Sequence, residues 1–333
     1  MWETIGNEEA VKHLSQSLRD GRVSHAYLIT GPDQVGKGTL ALDFAKALNC
    51  TGVGSPCGSC DQCSRVGKSL HPDVRIIGLS SSEGRDRSLI SIEQVREVQH
   101  EAYLKPYEGV WRVFIFDGVG RLSEEAANSL LKLLEEPPDQ VVIFLLAEDY
   151  LSLLPTIVSR CQLIKLRPVL SSVISKVLQD VYGASFELAR TLSGLSNGRP
   201  GWAISAFADQ EILDETTKAL HSTETLLDLS IEERLKYASE ITSRMSTEKK
   251  IARKNLMLWT TWWRGVLFDK QDVLGTEKSG LTFESSHSAA STLSVLQICN
   301  AIKSIQKASY YLERNVNPRL IFEQLMLELP NRR

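Results

Sequence analysis

The sequence predicts an α/β fold in its N-terminal half: a parallel five-stranded sheet with helices on both faces. Three observations carry this prediction. Strand and helix patterns alternate as far as residue 166, the strands are almost continuously apolar, and a glycine-rich turn follows the first strand. Apolar strands that alternate with helices are typical of parallel sheets that are covered on both faces. A small helical domain and a helical C-terminal domain are predicted to follow.

The elements of the α/β part follow from periodicity and from helix caps. Apolar residues at helical spacing predict helices over residues 7–19, 37–48, 91–103 and 123–135. Short apolar runs predict strands over residues 25–30, 74–79, 112–117, 141–147 and 162–166. Ser91 and Ser123 are in position to cap two of the helices. In a parallel sheet, ligands bind at the carboxyl ends of the strands.

The remaining chain is predicted to be helical. Pro168 marks the end of the α/β domain, which therefore spans residues 1–167 with an insertion at 50–63, and a small helical domain spans 168–208. Residues 209–333 form a predicted helical C-terminal domain.

Three features of the C-terminal domain are predicted separately. Leu256, Trp259, Trp263 and Leu267 share one helix face, which favours core packing over a partner surface. The stretch 275–291 is rich in Ser and Gly and is predicted to be a loop. Asn317 and Pro318 mark the start of the last helix.

The loop after the first strand has the pattern of a phosphate-binding loop that lacks one part. Gly31 and Gly36 allow backbone N–H groups to turn toward phosphate oxygens, and Lys37 adds a positive charge. The next residue normally carries the hydroxyl that holds Mg²⁺, and here it is Gly38. Thr39 lies about 100° further round the helix, so it is not a simple substitute. The alternative interpretation is a glycine-rich turn before an ordinary helix.

A second nucleotide motif is also incomplete. The strand that ends at Asp117 fits the acidic residue that lies on the metal side of the phosphates. Many ATPases have a glutamate at the next position, where it orients the attacking water, but this chain has Gly118. The two missing groups together predict nucleotide binding without efficient hydrolysis.

Four of the six cysteines lie in the insertion, at Cys50, Cys57, Cys60 and Cys63. Four thiolates at this spacing in a chain without secretory features predict a tetrahedral, structural Zn²⁺ site. An iron–sulfur cluster and redox-active thiols are the alternatives. The isolated Cys161 and Cys299 are predicted to be packed small residues.

The composition is that of a soluble globular protein, with 42% hydrophobic and 24% charged residues. The longest apolar run, Val141–Ala147, is too short to cross a bilayer, and the N-terminus lacks a signal pattern, so a cytoplasmic location is expected. The net charge of −3 gives no global reason to expect nucleic-acid binding.

Several motifs together resemble one known family. They include the run Asn128–Pro138, the triplet Ser159-Arg160-Cys161, the triplet His71-Pro72-Asp73, the turn Gly198–Gly201, and the phosphate loop with its four-cysteine insertion. In combination they are similar to the clamp-loader branch of the AAA+ family. The resemblance extends over nearly the whole chain and is firmest over residues 1–205.

The resemblance implies that residues 168–208 are a lid domain and that residues 209–333 are a collar and oligomerisation domain. It also implies a five-subunit ring, assembled through the collar, that places a sliding clamp on primer–template DNA for bacterial DNA polymerase III. ATP lies between subunits of such rings. Arg160 matches the arginine finger that reaches from one subunit into the ATP site of the next. A planar, permanently charged guanidinium suits that role, since it can neutralise charge that develops on the γ-phosphate. A structural or surface salt bridge is the alternative role of Arg160.

The chain departs from the gamma/tau-type ATPase members of the family. Those members keep a Ser or Thr at the place of Gly38, a Glu at that of Gly118, a polar residue at the end of the fourth strand, and a phosphate-contacting lid arginine where Gly201 stands. When the sequences are aligned on Gly198, Arg199 lies two residues before the position of that arginine. The departures imply a non-catalytic subunit whose partners are gamma/tau-type ATPase subunits and a delta subunit. Its own loop either holds ATP weakly or stands empty.

Two other functions remain as hypotheses. The chain could be an active P-loop ATPase, of the gamma/tau type or acting alone, or a kinase; either would need Thr39 to replace the missing hydroxyl. It could also be a zinc-centred nucleic-acid binder. Candidate DNA contacts are Arg85, Arg87, Lys105 and Arg112.

Overall fold

The computed structural model describes residues 2–79, 89–151, 153–245, 249–271, 284–314 and 316–332. These residues form two compact units. The first unit extends to Ile174 and also includes Gly198–Trp202. The second unit contains Ser175–Asn197 and the chain from Ala203 onward. The predicted division into AAA+, lid and collar domains stays a prediction.

The first unit contains a sheet and its flanking helices. Its strands are β1 (Ala26–Thr30), β2 (Val74–Ile77), β3 (Arg112–Asp117), β4 (Val141–Ala147) and β5 (Gln162–Lys165). Its helices are α1 (Glu8–Arg19), α2 (Lys37–Asn49), α3 (Asp61–Gly67), α4 (Ile92–Ala102), α5 (Glu124–Glu135) and α6 (Pro155–Val158). The predicted elements are all found, with ends that differ by a few residues.

The remaining described helices belong wholly or partly to the second unit. They are α7 (Ser171–Asp180), α8 (Phe186–Leu195), α9 (Pro200–Ala208), α10 (Gln210–Thr225), α11 (Ile231–Met245), α12 (Lys249–Lys270), α13 (Glu284–Thr292), α14 (Val295–Glu313) and α15 (Pro318–Glu328). None of the described helices combines the length and the hydropathy needed to cross a bilayer.

The five strands are all parallel and lie in the order β2-β3-β4-β1-β5. The alternation of side chains along β1 separates the two faces of the sheet. Ala26 and Leu28 pack with residues of α4 and α5, whereas Tyr27 and Ile29 pack with residues of α1 and α2. The structure therefore confirms the predicted fold class: an α/β domain with a parallel five-stranded sheet and helices on both faces, followed by a helical part of the chain.

The second unit is held by apolar packing and by one buried arginine. Trp259 and Trp263 on α12 are buried, which confirms that the tryptophan stripe belongs to the core. Arg234 on α11 is buried and donates hydrogen bonds to the carbonyl oxygens of Leu329 (2.8 Å) and Pro330 (2.8 Å). This arginine fixes the chain where α15 ends.

One predicted loop is partly wrong. Residues 284–291, which were predicted to belong to the loop 275–291, lie in α13, and residues 275–283 lie outside the described part of the chain. Ala289 on α13 is fully buried and Ser286 donates a hydrogen bond to Asp269 of α12. Packing against α12 thus outweighs the weak helix propensity of the serines.

The aromatic cluster on the α2 face of the sheet gives a stability prediction. Phe144 stacks on Tyr27 with ring centroids 5.3 Å apart and meets Phe44 edge-on at 5.7 Å. Phe144→Ala is expected to lower the free energy of unfolding by about 3–5 kcal/mol, because it opens a cavity in a close-packed core. Urea unfolding measures the change, and the exposed Tyr107→Ala is the control. Equal midpoints for Phe144→Ala and wild type would contradict this packing.

Candidate nucleotide and metal sites

The phosphate-loop sequence forms a tight turn between β1 and α2. Gly31 has φ +152° and Gly36 has φ +109°, a region that side chains disfavour. A Cβ added at Gly31 would lie 2.6 Å from the carbonyl oxygen of Leu166. The turn therefore depends on glycine at both positions, as the sequence predicted.

The side chain of Lys37 forms hydrogen bonds with its own loop. Its Nζ donates hydrogen bonds to the carbonyl oxygens of Gly31 and Pro32, each at 2.8 Å. Burial lowers the pKa of Lys37, and the nearby carboxylates of Asp33, Glu148 and Asp117 act in the opposite direction. To contact a phosphate, the ammonium group would have to exchange these two carbonyl contacts for phosphate oxygens.

Asp117 lies at the same edge of the sheet as the loop. Thr30, at the end of β1, is in register with Ala147 of β4, and Asp117 is in register with Leu146 of the same strand. Since β4 lies between β1 and β3, Asp117 and the loop are two strand spacings apart, or about 10 Å. Asp117 is exposed there. The structure thus brings the predicted nucleotide-site residues to one edge.

The backbone at positions 38 and 118, where the two catalytic groups are missing, differs in whether it would accept a side chain. A Cβ added at Gly38 would meet its nearest neighbour, Leu146 Cδ1, at 4.0 Å, so a larger side chain fits there. Gly118 instead has φ +84°, which costs a non-glycine residue about 1–2 kcal/mol. A carboxylate at position 118 would therefore require a different turn after β3.

A contact on the loop was not predicted from the sequence. The N–H of Gly201 donates to the carbonyl oxygen of Gln34 at 3.0 Å, and a Cβ added at Gly201 would lie 2.9 Å from that oxygen. Arg199 is buried nearby, where burial lowers its pKa and Asp33 opposes the shift. Gly201, which stands where ATPase members are expected to have an arginine, is thus in direct contact with the loop.

The four insertion cysteines form one cluster. The Sγ atoms of Cys50, Cys57, Cys60 and Cys63 all lie within 4.8 Å of one another. Tetrahedral zinc with Zn–S bonds of about 2.3 Å needs sulfur atoms about 3.8 Å apart, so the cluster can hold one metal ion with small adjustments. Cys161 and Cys299 lie outside the cluster.

Backbone N–H groups point at the sulfur atoms of this cluster. The N–H of Cys57 donates to Cys50 Sγ at 3.4 Å, that of Cys60 to Cys57 Sγ at 3.3 Å, and that of Cys63 to Cys60 Sγ at 3.4 Å. The hydrogen bond from Cys63 is the main cause that lowers the pKa of Cys60 to about 5, while burial raises the pKa of Cys63 to about 12. Donors of this kind stabilise thiolates and orient metal ligands.

The insertion is tied to the sheet through His71 and Asp73. His71 Nε2 contacts Gln62 Oε1 on α3, and the Asp73 N–H donates to His71 Nδ1 at 3.0 Å. Asp73 is buried and accepts from three backbone N–H groups of the segment 107–109 and from Arg112. His71 and Asp73 were singled out from the sequence only through the family resemblance. The available signal was an acid directly before the strand that begins at Val74.

Arg160 follows α6 and is partly exposed. Its Nη2 lies 2.8 Å from Glu135 Oε1, and its Nη1 donates to the carbonyl oxygen of Thr156 at 2.9 Å. The guanidinium keeps 35% of its side-chain surface exposed. The ion pair that the sequence left open as an alternative role is therefore present, and the role as a finger stays a prediction.

The candidate DNA contacts are placed in part. Arg112 donates to the carbonyl oxygens of Glu101 and Lys105 and to Asp73, so it has an internal structural role. Lys105 is exposed, and Arg85 and Arg87 lie outside the described residues.

Comparison with known proteins identifies the family. Residues 6–170 match the family model described as DNA polymerase III, delta subunit. Residues 6–170, just under half of the chain, belong to this family of DNA polymerase III subunits. The resemblance inferred from the motifs is confirmed.

Individual relatives come from several bacteria. The chain is 33% identical over 222 residues to DNA polymerase III subunit delta' of Bacillus subtilis. The aligned part covers 65% of this chain and 64% of that protein. It is 35% identical over 181 residues to subunit tau/gamma of Haemophilus influenzae, covering 54% of this chain but 25% of that protein. The chain thus spans less than half the length of several curated relatives that it matches.

A solved structure is also similar. A gamma subunit-related protein of Thermotoga maritima aligns with 96% of this chain and 99% of its own, at 18% identity and a TM-score of 0.41.

Asp73 gives a prediction for pH and stability. Burial alone would raise the pKa of Asp73, but its hydrogen bonds from Glu108, Gly109, Tyr107 and Arg112 outweigh burial and lower it. A folded pKa below the unfolded one stabilises the protein above about pH 4, and this contribution is lost as the pH falls further.

Asp73→Asn is expected to lose about 2–4 kcal/mol of unfolding free energy at neutral pH, since its amide group would face backbone donors. Urea unfolding measures this loss, with the exposed Asp139→Asn as control. The loss should shrink as the pH falls toward about 3. A variant with the same stability as wild type at neutral pH would show that the carboxylate contributes nothing.

Proposed function

We propose that this chain is a non-catalytic subunit of a DNA polymerase III clamp loader. In this role it helps to place the sliding clamp on primer–template DNA, and it supplies Arg160 to the ATP site of a neighbouring subunit. Its partners are gamma/tau-type ATPase subunits and a delta subunit in a pentameric ring. The observation that carries the proposal is a partly exposed arginine in a chain whose own nucleotide motifs lack two groups for hydrolysis, at Gly38 and Gly118.

The state of the chain's own site supports the non-catalytic role. Gly38 has no hydroxyl that could hold Mg²⁺, and Gly118 has no carboxylate that could orient the attacking water. Lys37 and the glycines of the loop could still hold a nucleotide phosphate, so Gly31, Gly36, Lys37, Gly38, Thr39 and Asp117 form a degenerate site at most. We infer that ATP binding here is weak or absent.

The geometry of Arg160 suits action in trans. The turn that carries it is exposed, and the contacts to Glu135 and Thr156 hold the guanidinium without burying it. An exposed ion pair is worth about 0–1 kcal/mol, so exchanging it for a triphosphate costs little. A finger arginine raises the rate of phosphoryl transfer by about 10³–10⁵.

A catalytically active P-loop ATPase of the gamma/tau type is the second candidate. The identity of 35% to the Haemophilus influenzae tau/gamma subunit favours it. The backbone at Gly118 is unfavourable for this candidate, because the glutamate that ATPase members are expected to have would be strained there.

The family alone suggests a cytoplasmic location, and the cysteine cluster suggests Zn²⁺ as a structural ion. The loop that the cysteines close includes the fully exposed Val53 and has little apolar material of its own, so a metal would supply the ordering free energy.

Arg160→Ala tests the action in trans. A reconstituted complex that carries this variant is expected to lose DNA-stimulated ATP turnover at one site, by about 10³-fold or more at that site. Steady-state phosphate release measures the loss.

Glu135→Gln separates the finger from the ion pair. If Arg160 served only to pair with Glu135, both variants would lower turnover equally; the proposal expects Glu135→Gln to keep most of it. The exposed Arg22→Ala serves as a control for the loss of an arginine elsewhere. Wild-type turnover by the Arg160→Ala complex would exclude the role in trans.

Metal analysis tests the cysteine cluster. The purified chain is expected to contain about one zinc ion, and Cys60→Ser is expected to lose it, since structural zinc needs all four ligands. Cys161→Ser, which changes a cysteine outside the cluster, should keep the ion. Iron in the protein, or no metal in material prepared without chelator, would contradict the assignment of zinc.

A further inference from the structure

Two buried polar side chains fix the backbone of the loop 105–111, which leads into β3. Asp73 accepts three backbone N–H groups of this loop, at 2.7 to 2.9 Å. Asn49, the last residue of α2, accepts the N–H groups of Val110 and Trp111 on its Oδ1, each at 2.9 Å, and its Nδ2 donates to the carbonyl oxygen of Trp111. Since both anchors are buried, the loop has its conformation before any partner binds.

This fixed loop presents apolar side chains to solvent. Tyr107 is 82% exposed and Val110 is 59% exposed. Leu70, which is 66% exposed, lies beside the loop, because the neighbouring His71 is 3.8 Å from Glu108. We refer to Leu70, Tyr107 and Val110 as the apolar loop surface. Single exposed apolar residues are common, but several that are gathered on a rigid backbone indicate an interaction site.

The charges around the apolar loop surface are of unequal availability. The carboxylate of Glu108 pairs with Arg65, and that of Asp61 lies 3.9 Å from the same guanidinium. Lys68 and Lys105 are exposed, and neither pairs with a carboxylate among the residues that the structure describes. Each of these lysines precedes an exposed residue of the surface by two positions. The charge that is available to a partner here is therefore positive, although the whole chain has a net charge of −3.

We propose that the apolar loop surface binds an acidic peptide segment of a partner protein. The segment places large apolar side chains against Leu70, Tyr107 and Val110, and its carboxylates lie beside Lys68 and Lys105. Tyrosine is among the residues that contribute most to protein interfaces, and a fixed backbone lowers the entropy that is lost on binding. This binding does not depend on the proposed function, since it uses a surface of the chain alone.

Other occupants fit this surface less well. A second copy of the chain in a symmetric dimer would bring the same lysines together, and like charges across an interface oppose association. A nucleic-acid strand would use the cations but would leave the aliphatic side chains of Leu70 and Val110 without a role. A basic segment would compete with Arg65 for the carboxylates of Glu108 and Asp61.

The first experiment selects a library of short random peptides, displayed on phage, against the full chain. The enriched sequences are expected to combine Asp or Glu with large apolar residues. The most enriched peptide is then synthesised with a fluorescent label, and fluorescence anisotropy measures its affinity. Tyr107→Ser/Val110→Ser is expected to weaken binding about tenfold or more, because the apolar contacts are lost. The control is Leu151→Ser, which changes a residue that is 76% exposed elsewhere in the same unit and should bind as the wild type does.

Charge reversal tests the role of the two lysines with the same peptide. Lys68→Glu/Lys105→Glu is expected to weaken binding about tenfold or more at low salt, because two attractive pairs become repulsive. The difference from the wild type should shrink as the salt concentration rises and screens the charges. Lys12→Glu/Arg22→Glu, which reverses two exposed cations elsewhere in the same unit, is the matched control.

Several results would overturn the proposal. They include a selection that enriches no peptide or only basic peptides, and a peptide affinity that neither double variant changes relative to its control. Duplex DNA that displaces the peptide, and whose own binding both double variants weaken, would make the occupant a nucleic acid. A dimer of the wild-type chain that Tyr107→Ser/Val110→Ser dissociates in sedimentation would make it a second copy. Urea unfolding shows that each variant keeps its fold.

Discussion

The parallel sheet, buried on both faces, is the constraint on which the rest of the first unit depends. Its faces are filled by apolar side chains, so polar chemistry can gather only where strands end. The strand order puts β4 between β1 and β3, and this order brings the loop at Gly31 and the carboxylate of Asp117 to a common edge. Topology therefore brings the predicted nucleotide-site residues together even though two catalytic groups expected there are missing.

The cysteine insertion is joined to the same sheet by buried polar contacts. Asp73 accepts hydrogen bonds from the segment 107–109 and from Arg112. His71 contacts both Asp73 and Gln62 of α3, and so links Asp73 to the insertion. Because a buried carboxylate is stable only when its donors are in place, the order of this segment and the order of the insertion depend on each other. These contacts thus join the insertion to the start of β2, which is an edge strand of the sheet.

Most of the fold was predictable because its signals are local. Apolar runs and helical periodicity predicted all five strands and the helices α1, α2, α4 and α5, and glycine at positions 31 and 36 predicted the turn. The short helices α3 and α6 were not predicted. Contacts between distant residues were not predictable. The hydrogen bonds of Lys37 to its own loop, the approach of Gly201 to Gln34, and the pair of Arg160 with Glu135 depend on tertiary packing. The helix at 284–292 was missed for the same reason.

The central claim is a division of labour, in which this chain contributes an arginine to another subunit's ATP but cannot hydrolyse ATP itself. The most direct test is the release of inorganic phosphate by the purified chain alone with Mg²⁺ and ATP, compared with its Lys37→Ala variant. The account predicts the same background rate for both proteins. Magnesium-dependent turnover by the wild-type chain that Lys37→Ala abolishes would contradict it.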